Sequence, residues 1–225
     1  MVPSIQHGAG VLASGPGLRD TRGMNSGMNR ILLSVTVTVL AFGMAAWAKP
    51  PAATPDPVAG NPQSSVRVII YQDLECPDCA QWHAVLESTI LPKFGKQVAF
   101  EFRDFPLRQH RWSFNAAVLA RYFDTLNVQV GLAWRDYCFT HQDELTPDNL
   151  INQAAAWAAP HGVSRAQIEQ VFSRSDLFAK VTADLKRGNA DQVQHTPTVL
   201  LNGKEATTPE QLEQMLTQAL RVARR

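Results

Sequence analysis

The sequence predicts an α/β domain whose small sheet is interrupted by an inserted α-helical subdomain. Three observations carry that expectation. A β-branched run, "VRVIIYQD" (Val66 to Asp73), gives way at once to residues at helical period. From Ser113 to about Asp191 the pattern is helical throughout. The chain then returns to strand pattern in "TVLLNGKEA", where Asn202-Gly203 supplies the two φ > 0 residues that a two-residue hairpin needs.

The first 65 residues read as something other than this domain. Residues 1–27 are rich in Gly, Ser and Pro without a periodic apolar run, an N-terminal extension that is either disordered or upstream of a true start at Met28 or Met24. Residues 28–48 have the parts of a signal peptide in order: Arg30, an apolar stretch from Ile31 to Ala46, and the small-x-small site Ala46-Trp47-Ala48. The alternative is a membrane anchor, since residues 31–48 are just long enough to span a bilayer. Ser34, Thr36, Thr38 and the Ala-x-Ala ending favour cleavage. Either way the remainder is exported into an oxidising compartment, the periplasm. Residues 49–65, beginning "KPPAATPDPVAGNP", read as a Pro/Ala-rich linker.

The domain proper is expected over residues 66–225, with the insertion at about 110–191. After the first strand, Trp82, Val85, Leu86 and Ile90 form one helical face, and Pro92 signals its end. "VAFEFRDF" (Val98 to Phe105) is a second strand. Within the insertion, Thr146-Pro147 and Ser164-x-x-Gln167 mark helix starts. Ala116, Leu119, Ala120 and Phe123, with Trp134, Tyr137 and Cys138, read as core faces. Trp112, Phe114 and Tyr122 join that core rather than a cofactor box. Thr208-Pro209-Glu210-Gln211 caps a last amphipathic helix through Leu212, Met215, Leu216 and Leu220. A sheet that ends in a hairpin, with no Gly-rich phosphate loop, excludes a doubly wound nucleotide fold. Setting aside residues 1–48, with their three Arg and one Asp, leaves 18 basic and 19 acidic residues, which argues against a nucleic-acid partner. A monomer is expected.

Two of the three cysteines stand in "YQDLECPDCAQWH". Pro77 suits the first position of a helix, so Cys76 should meet free backbone N–H groups and the positive end of the helix dipole. Cys76 is therefore expected to be the exposed nucleophile and Cys79, on the same face one turn on, the buried resolving thiol. That arrangement supports thiol–disulfide exchange, with no cofactor and no metal. Two other readings stand beside it. Cys76, Cys79 and His83 would hold copper or zinc as a carrier if His110 or His195 converged on them. A redox-silent staple is the other, although so short a loop adds little stability.

"DLECPDCAQW", "FRDFPL" followed by His110, and "HTPTVLLNG" resemble, in order and spacing, the thioredoxin superfamily, specifically its DsbA-like exported branch with a helical insertion. The likeness covers roughly residues 66–220. It implies a thioredoxin-like fold, and a cis peptide at Thr196-Pro197 beside the cysteines whose backbone pairs with bound substrate. It also implies Cys-containing polypeptides as substrates and a membrane redox partner. Two positions depart from the pattern. Ile70 stands where relatives carry a buried glutamate below the pair, so proton transfer from Cys79 would use Asp73 or water. His195 stands where relatives often have glycine, and its imidazole would lower the Cys76 pKa unless it is merely a solvated loop residue.

The dipeptide between the cysteines, Pro77-Asp78, replaces the Pro-His of strongly oxidising members. Asp78 and Glu75 should raise the Cys76 pKa by like-charge repulsion. The expected reduction potential therefore lies between about −120 mV and about −270 mV, the values of DsbA and thioredoxin. His83 reads as a polar residue on a solvated helix face, and His110, Arg108 and Arg111 as a solvated loop, with a place bordering the substrate groove as the alternative. Cys138, among aromatic residues, reads as a buried inert thiol, with a dimer-forming or regulatory disulfide as its alternative.

Overall fold

The structure is a computed structural model that describes residues 56–223. The extension, the signal peptide or anchor, and the first seven residues of the expected linker lie outside the described residues. Among the described residues no helix is long and apolar enough to cross a membrane.

In chain order the elements begin with β1 (Val58–Gly60), β2 (Arg67–Gln72), α1 (Pro77–Val85), a π-helical turn (Leu86–Ile90), α2 (Leu91–Phe94) and β3 (Ala99–Asp104). The insertion follows as α3 (Ser113–Leu126), α4 (Val128–Thr140), α5 (Leu150–Ala158), α6 (Arg165–Val171) and α7 (Ser175–Ala190). The hairpin β4 (Thr198–Leu201) and β5 (Lys204–Glu205) and the helix α8 (Pro209–Ala223) complete the domain. The five strands form one mixed sheet in the order β1-β3-β2-β4-β5. β2 and β3 are parallel, joined by the α1–α2 crossover, and the other pairs are antiparallel. This is the α/β fold with an inserted helical region that the sequence predicts.

Three boundaries differ from the sequence reading. The expected linker holds β1, in which Val58 pairs with Glu101 and Gly60 with Ala99. Its flanking prolines are tolerated because β1 is an edge strand, where a missing N–H leaves no ladder bond unmade. Gly60 is required there, with φ 78° and a Cβ that would lie 2.5 Å from the Val98 carbonyl. Pro92 does not stop the first helix. The turn just before it widens to π geometry, which absorbs the proline's missing donor and its ring, and the helix runs on to Phe94. Helix α5 starts at Leu150, because Thr146 and Asn149 cap one another in a turn (Thr146 N to Asn149 Oδ1 2.8 Å, Asn149 N to Thr146 Oγ1 3.2 Å).

Other local signals act as read. Ser164 and Gln167 form a reciprocal capping box. Asn202 and Gly203 take φ of 53° and 73°, and Gln211 N donates to Thr208 Oγ1 at the start of α8. One face of the sheet (Val68, Ile70, Phe100, Val199) packs on Ile90, Phe94, Leu212 and Leu216. The other carries Tyr71, Phe105 and Val193, with α7 approaching so closely that a Cβ on Gly188 would lie 2.4 Å from the Phe105 ring. The insertion has its own core around Trp134, Phe123, Leu119 and Ile168, which includes Trp112, Tyr122 and Cys138. Full burial of such a side chain stabilises by about 1.5–3 kcal/mol before entropy is counted.

Insertion and sheet are also joined by charges that the sequence reading did not anticipate. Arg135 meets Asp124 at 2.8 Å and Asp104, at the end of β3, at 3.2 Å. Arg121 pairs with the same Asp104 at 2.6 Å and with Asp184 of α7. Burial opposes both guanidinium charges, and the surrounding carboxylates more than offset it, so both pKa values are raised. Gly131 makes room, since a Cβ there would collide with Asp124.

Candidate active site

The cysteines sit where β2 hands over to α1. Cys76 is the N-cap residue with extended φ and ψ of −78° and 122°, and Pro77 takes the first helical position. The backbone N–H groups of Asp78 and Cys79 therefore point back towards the Cys76 sulfur. The Cys76 thiol is lowered to about 6, first by the hydrogen bond it receives from the Cys79 thiol and, against burial, by those two backbone N–H groups. Cys79, one turn inside, is pushed far above the ordinary thiol range by burial and by the neighbouring Cys76. The two sulfurs are thus split into a thiolate and a protonated thiol.

Cys76 is not the open thiol that was expected. It is only 5% exposed. The Thr196 carbonyl lies 3.3 Å from its sulfur, and the insertion reaches over the turn through Gln142, whose Nε2 donates to Leu74 O (2.8 Å) and Cys76 O (3.0 Å). The Thr196-Pro197 peptide is cis. Beside it opens a groove of about 490 Å³ lined by Asp78, Trp82, Val85, Thr196, Pro197 and Pro209.

The residues expected to tune Cys76 are placed otherwise. Asp78 is exposed, and it influences Cys76 through its backbone N–H, which lowers the pKa. Glu75 turns away to cap α3, accepting from Trp112 N (2.7 Å) and Ser113 N (3.0 Å), where the positive helix end favours its charge. The expectation that these two acids raise the Cys76 pKa is therefore corrected. His195 is 62% exposed and lies 3.2 Å from Glu205. Asp73 touches Cys79 only through its backbone N–H, 3.4 Å from the sulfur. Its carboxylate is buried and already accepts from Glu75 N, Leu107 N, Ser113 Oγ and His110 Nδ1.

Sequence reasoning missed His110 and Gln142 as parts of this site. His110 read as solvated but is the partner of Asp73 at 2.7 Å, and the only signal for it was its fixed place after "FRDFPL". Nothing local marks Gln142, which meets the site through the fold of the insertion. His83 is not solvated either: its side chain is 10% exposed and its Nε2 lies 2.9 Å from Asp136 of α4. Among the described residues no three His, Cys, Asp or Glu side chains converge as a metal site. Cys138 is buried and its thiol is raised well above the ordinary range by desolvation.

Comparison with known proteins bears on this geometry. The "Na(+)/H(+) antiporter NhaA 1" of Mycolicibacterium gilvum (strain PYR-GCK) is 29% identical over 157 residues, 68% of this chain and 24% of the relative. The chain thus spans about a quarter of the length of the curated relatives it matches. Two solved structures share its fold. BdbD from Bacillus subtilis, in its oxidised form, has TM-score 0.63 and 19% identity, covering 74% of this chain and 93% of that one. The thiol-disulfide exchange protein alpha-DsbA2 from Wolbachia pipientis has TM-score 0.61 and 18% identity, covering 73% and 87%. A family model described as Thioredoxin matches residues 52–219. With well over half of its length matched, the chain belongs to the thioredoxin family, in the DsbA-like form of that fold.

Proposed function

We propose that the protein is a thiol–disulfide oxidoreductase of the DsbA type, acting outside the cytoplasm on Cys-containing polypeptides through Cys76-Pro77-Asp78-Cys79. The observation that carries the reading is the division of labour between the two sulfurs. With its pKa near 6, Cys76 is mostly thiolate at neutral pH. Being also the better leaving group, it is the sulfur through which substrate is attacked and released. In one direction substrate thiolate attacks Cys76 of the disulfide and a second substrate thiolate resolves the mixed disulfide. In the other, Cys76 attacks a substrate disulfide and Cys79 resolves. An extended substrate lies along the groove, pairing with the backbone of Thr196 and Pro197. A pKa near 6 falls between the values near 7 and near 3.5 of thioredoxin and DsbA, which supports an intermediate potential.

The periplasm is the compartment this chemistry suits, with a membrane redox partner resetting the pair. The carrier reading has no support in the geometry, since among the described residues no three His, Cys, Asp or Glu side chains gather as a metal site. The test is a trap. Cys79→Ala protein should accumulate a mixed disulfide with an unfolded Cys-containing protein, and Cys76→Ala protein should not. In the reduced wild type, alkylation of Cys76 by iodoacetamide should rise through pH 6 rather than pH 9. Failure to trap, or an inflection near pH 9, would overturn the reading.

A further inference from the structure

Side chains two apart on a strand share a face, so Ile70 and Gln72 of β2 both point under α1. There, with Cys79, His83 and Pro197 among the other walls, they enclose an internal space of about 10 Å³. That is room for roughly one water molecule. Its lining is mostly apolar, and Gln72 and His83 are the polar exceptions. Gln72 is 5% exposed, and its Nε2 donor has no partner among the described residues. A buried amide donor left unmade costs about 1–3 kcal/mol, so a hydrogen-bonding occupant is favoured.

His83 stands one turn after Cys79 on the same face of α1. Its Nε2 lies 2.9 Å from Asp136 Oδ1. An ionised carboxylate only accepts, so Nε2 carries the hydrogen and Nδ1 is left as the acceptor. The imidazole is thereby held in one tautomer by a group from the insertion.

We propose that this pocket is the proton exit of Cys79: one water, bound by Gln72, links the Cys79 thiol to the imidazole of His83, which Asp136 positions. The inference rests on the exchange reading above and addresses its resolving step. The Cys79 S–H bond breaks and its electron pair forms the bond to Cys76 Sγ. The bond between Cys76 and the substrate sulfur breaks, and that electron pair leaves on the substrate as thiolate. The Cys79 proton passes to the water, which gives one to His83. The imidazolium faces Asp136 and releases its proton to solvent past the exposed side of that carboxylate, 57% accessible. The mixed disulfide is the electron acceptor.

Other charged groups around the pocket are few. Glu87, one turn beyond His83, has its carboxyl raised by burial against the pull of His83 and with the push of Asp136. Asp78 is exposed at the start of α1, the Asp73 carboxylate is turned to Leu107 and Ser113, and His195 on the facing loop pairs with Glu205. His83 is the group placed to accept.

The test separates the two steps in time. Reduced protein is mixed with glutathione disulfide, quenched in acid and weighed, so that formation of the Cys76–glutathione disulfide and its decay are both read from pH 5 to 9. Decay in the wild type should rise with pH and level off. In His83→Gln, whose amide can still bond Asp136, decay should slow by about a hundredfold at neutral pH and climb with hydroxide without levelling. Gln72→Leu, which fills the space, should slow decay likewise, and in both variants Cys76 attack should keep its rate. A level portion retained in His83→Gln overturns the relay, as does equal slowing of both steps at every pH. A wild type that forms no mixed disulfide overturns the exchange reading itself, and the relay with it.

Discussion

Two buried polar regions border the insertion, and they are built on opposite principles. Behind β3, two guanidinium groups, Arg121 and Arg135, face the carboxylates of Asp104, Asp124 and Asp184, all of them almost inaccessible to water. Beside the cysteines a single carboxylate, Asp73, is equally buried, with no arginine or lysine against it among the described residues. It is held by two backbone N–H groups, a hydroxyl and one imidazole. The first region is an ion-pair clamp that sets where α3, α4 and α7 sit on the sheet. The second is a hydrogen-bonded hub that ties the turn before Cys76 to the 105–113 loop and the start of α3. A clamp of full charges fails when its balance is broken, whereas a hub of oriented donors fails when its acceptor changes shape.

The sharpest way to test the clamp is Arg135→Met, which keeps the length of the side chain and removes the charge. Asp104 and Asp124 would then lose a paired cation in a site almost closed to solvent. Unfolding in urea should show a loss of about 3–5 kcal/mol, with the Cys76 alkylation profile unmoved. Pairing the change with Asp124→Leu should recover part of that loss, because a partner removed together with its charge leaves less uncompensated. A loss of less than about 1 kcal/mol would mean that the clamp is solvated and that the contrast drawn above fails.

The hub should respond to a smaller change. In Asp73→Asn the shape is kept, but one oxygen becomes an NH2. Oδ1 accepts from Glu75 N and Ser113 Oγ, and Oδ2 from Leu107 N and His110 Nδ1. Either orientation of the amide therefore sets a donor against a backbone N–H. The expected cost is about 1.5–3 kcal/mol in the same unfolding measurement, the worth of a hydrogen bond to a charged group. Unlike Arg135→Met, it should also shift Cys76 alkylation, since the turn that aims the helix N–H groups is released. An unchanged alkylation profile would separate the hub from the site.

This contrast also marks what the sequence made legible. Strands, hairpin and insertion follow from local periodicity, and the placing of Cys76 and Cys79 at a helix start follows from Pro77, whereas Thr196-Pro197 was picked out only through the family resemblance. Asp73 was singled out as a proton acceptor for Cys79, yet its contacts come from Leu107, His110 and Ser113, more than thirty residues away. Arg121, Asp104 and Asp184 likewise meet only through packing. A charged residue has the same letter whether it is solvated or clamped, and the distinction appears only when the faces of α3 and α4 are set against β3. Glu75 is the clearest case. Its nearness in sequence suggested repulsion of the thiolate, and the fold instead sends its carboxylate to the start of a helix.

The smallest expected effect lies where insertion and site meet. Gln142 donates both hydrogens of its amide nitrogen, to Leu74 O and to Cys76 O. In Gln142→Ala these carbonyls, only partly buried, can be reached by water, so the loss should stay near 1 kcal/mol, the net worth of an ordinary hydrogen bond. The consequence should instead be local. Amide hydrogen exchange should quicken at Asp78 and Cys79, whose N–H groups stabilise the Cys76 thiolate, while β2 and β3 keep their protection. Cys76 should then titrate somewhat above 6, because donors that fluctuate hold a thiolate less well. If protection falls across the sheet as well, the turn and the clamp open as one unit, and the division between the two regions is not an energetic one.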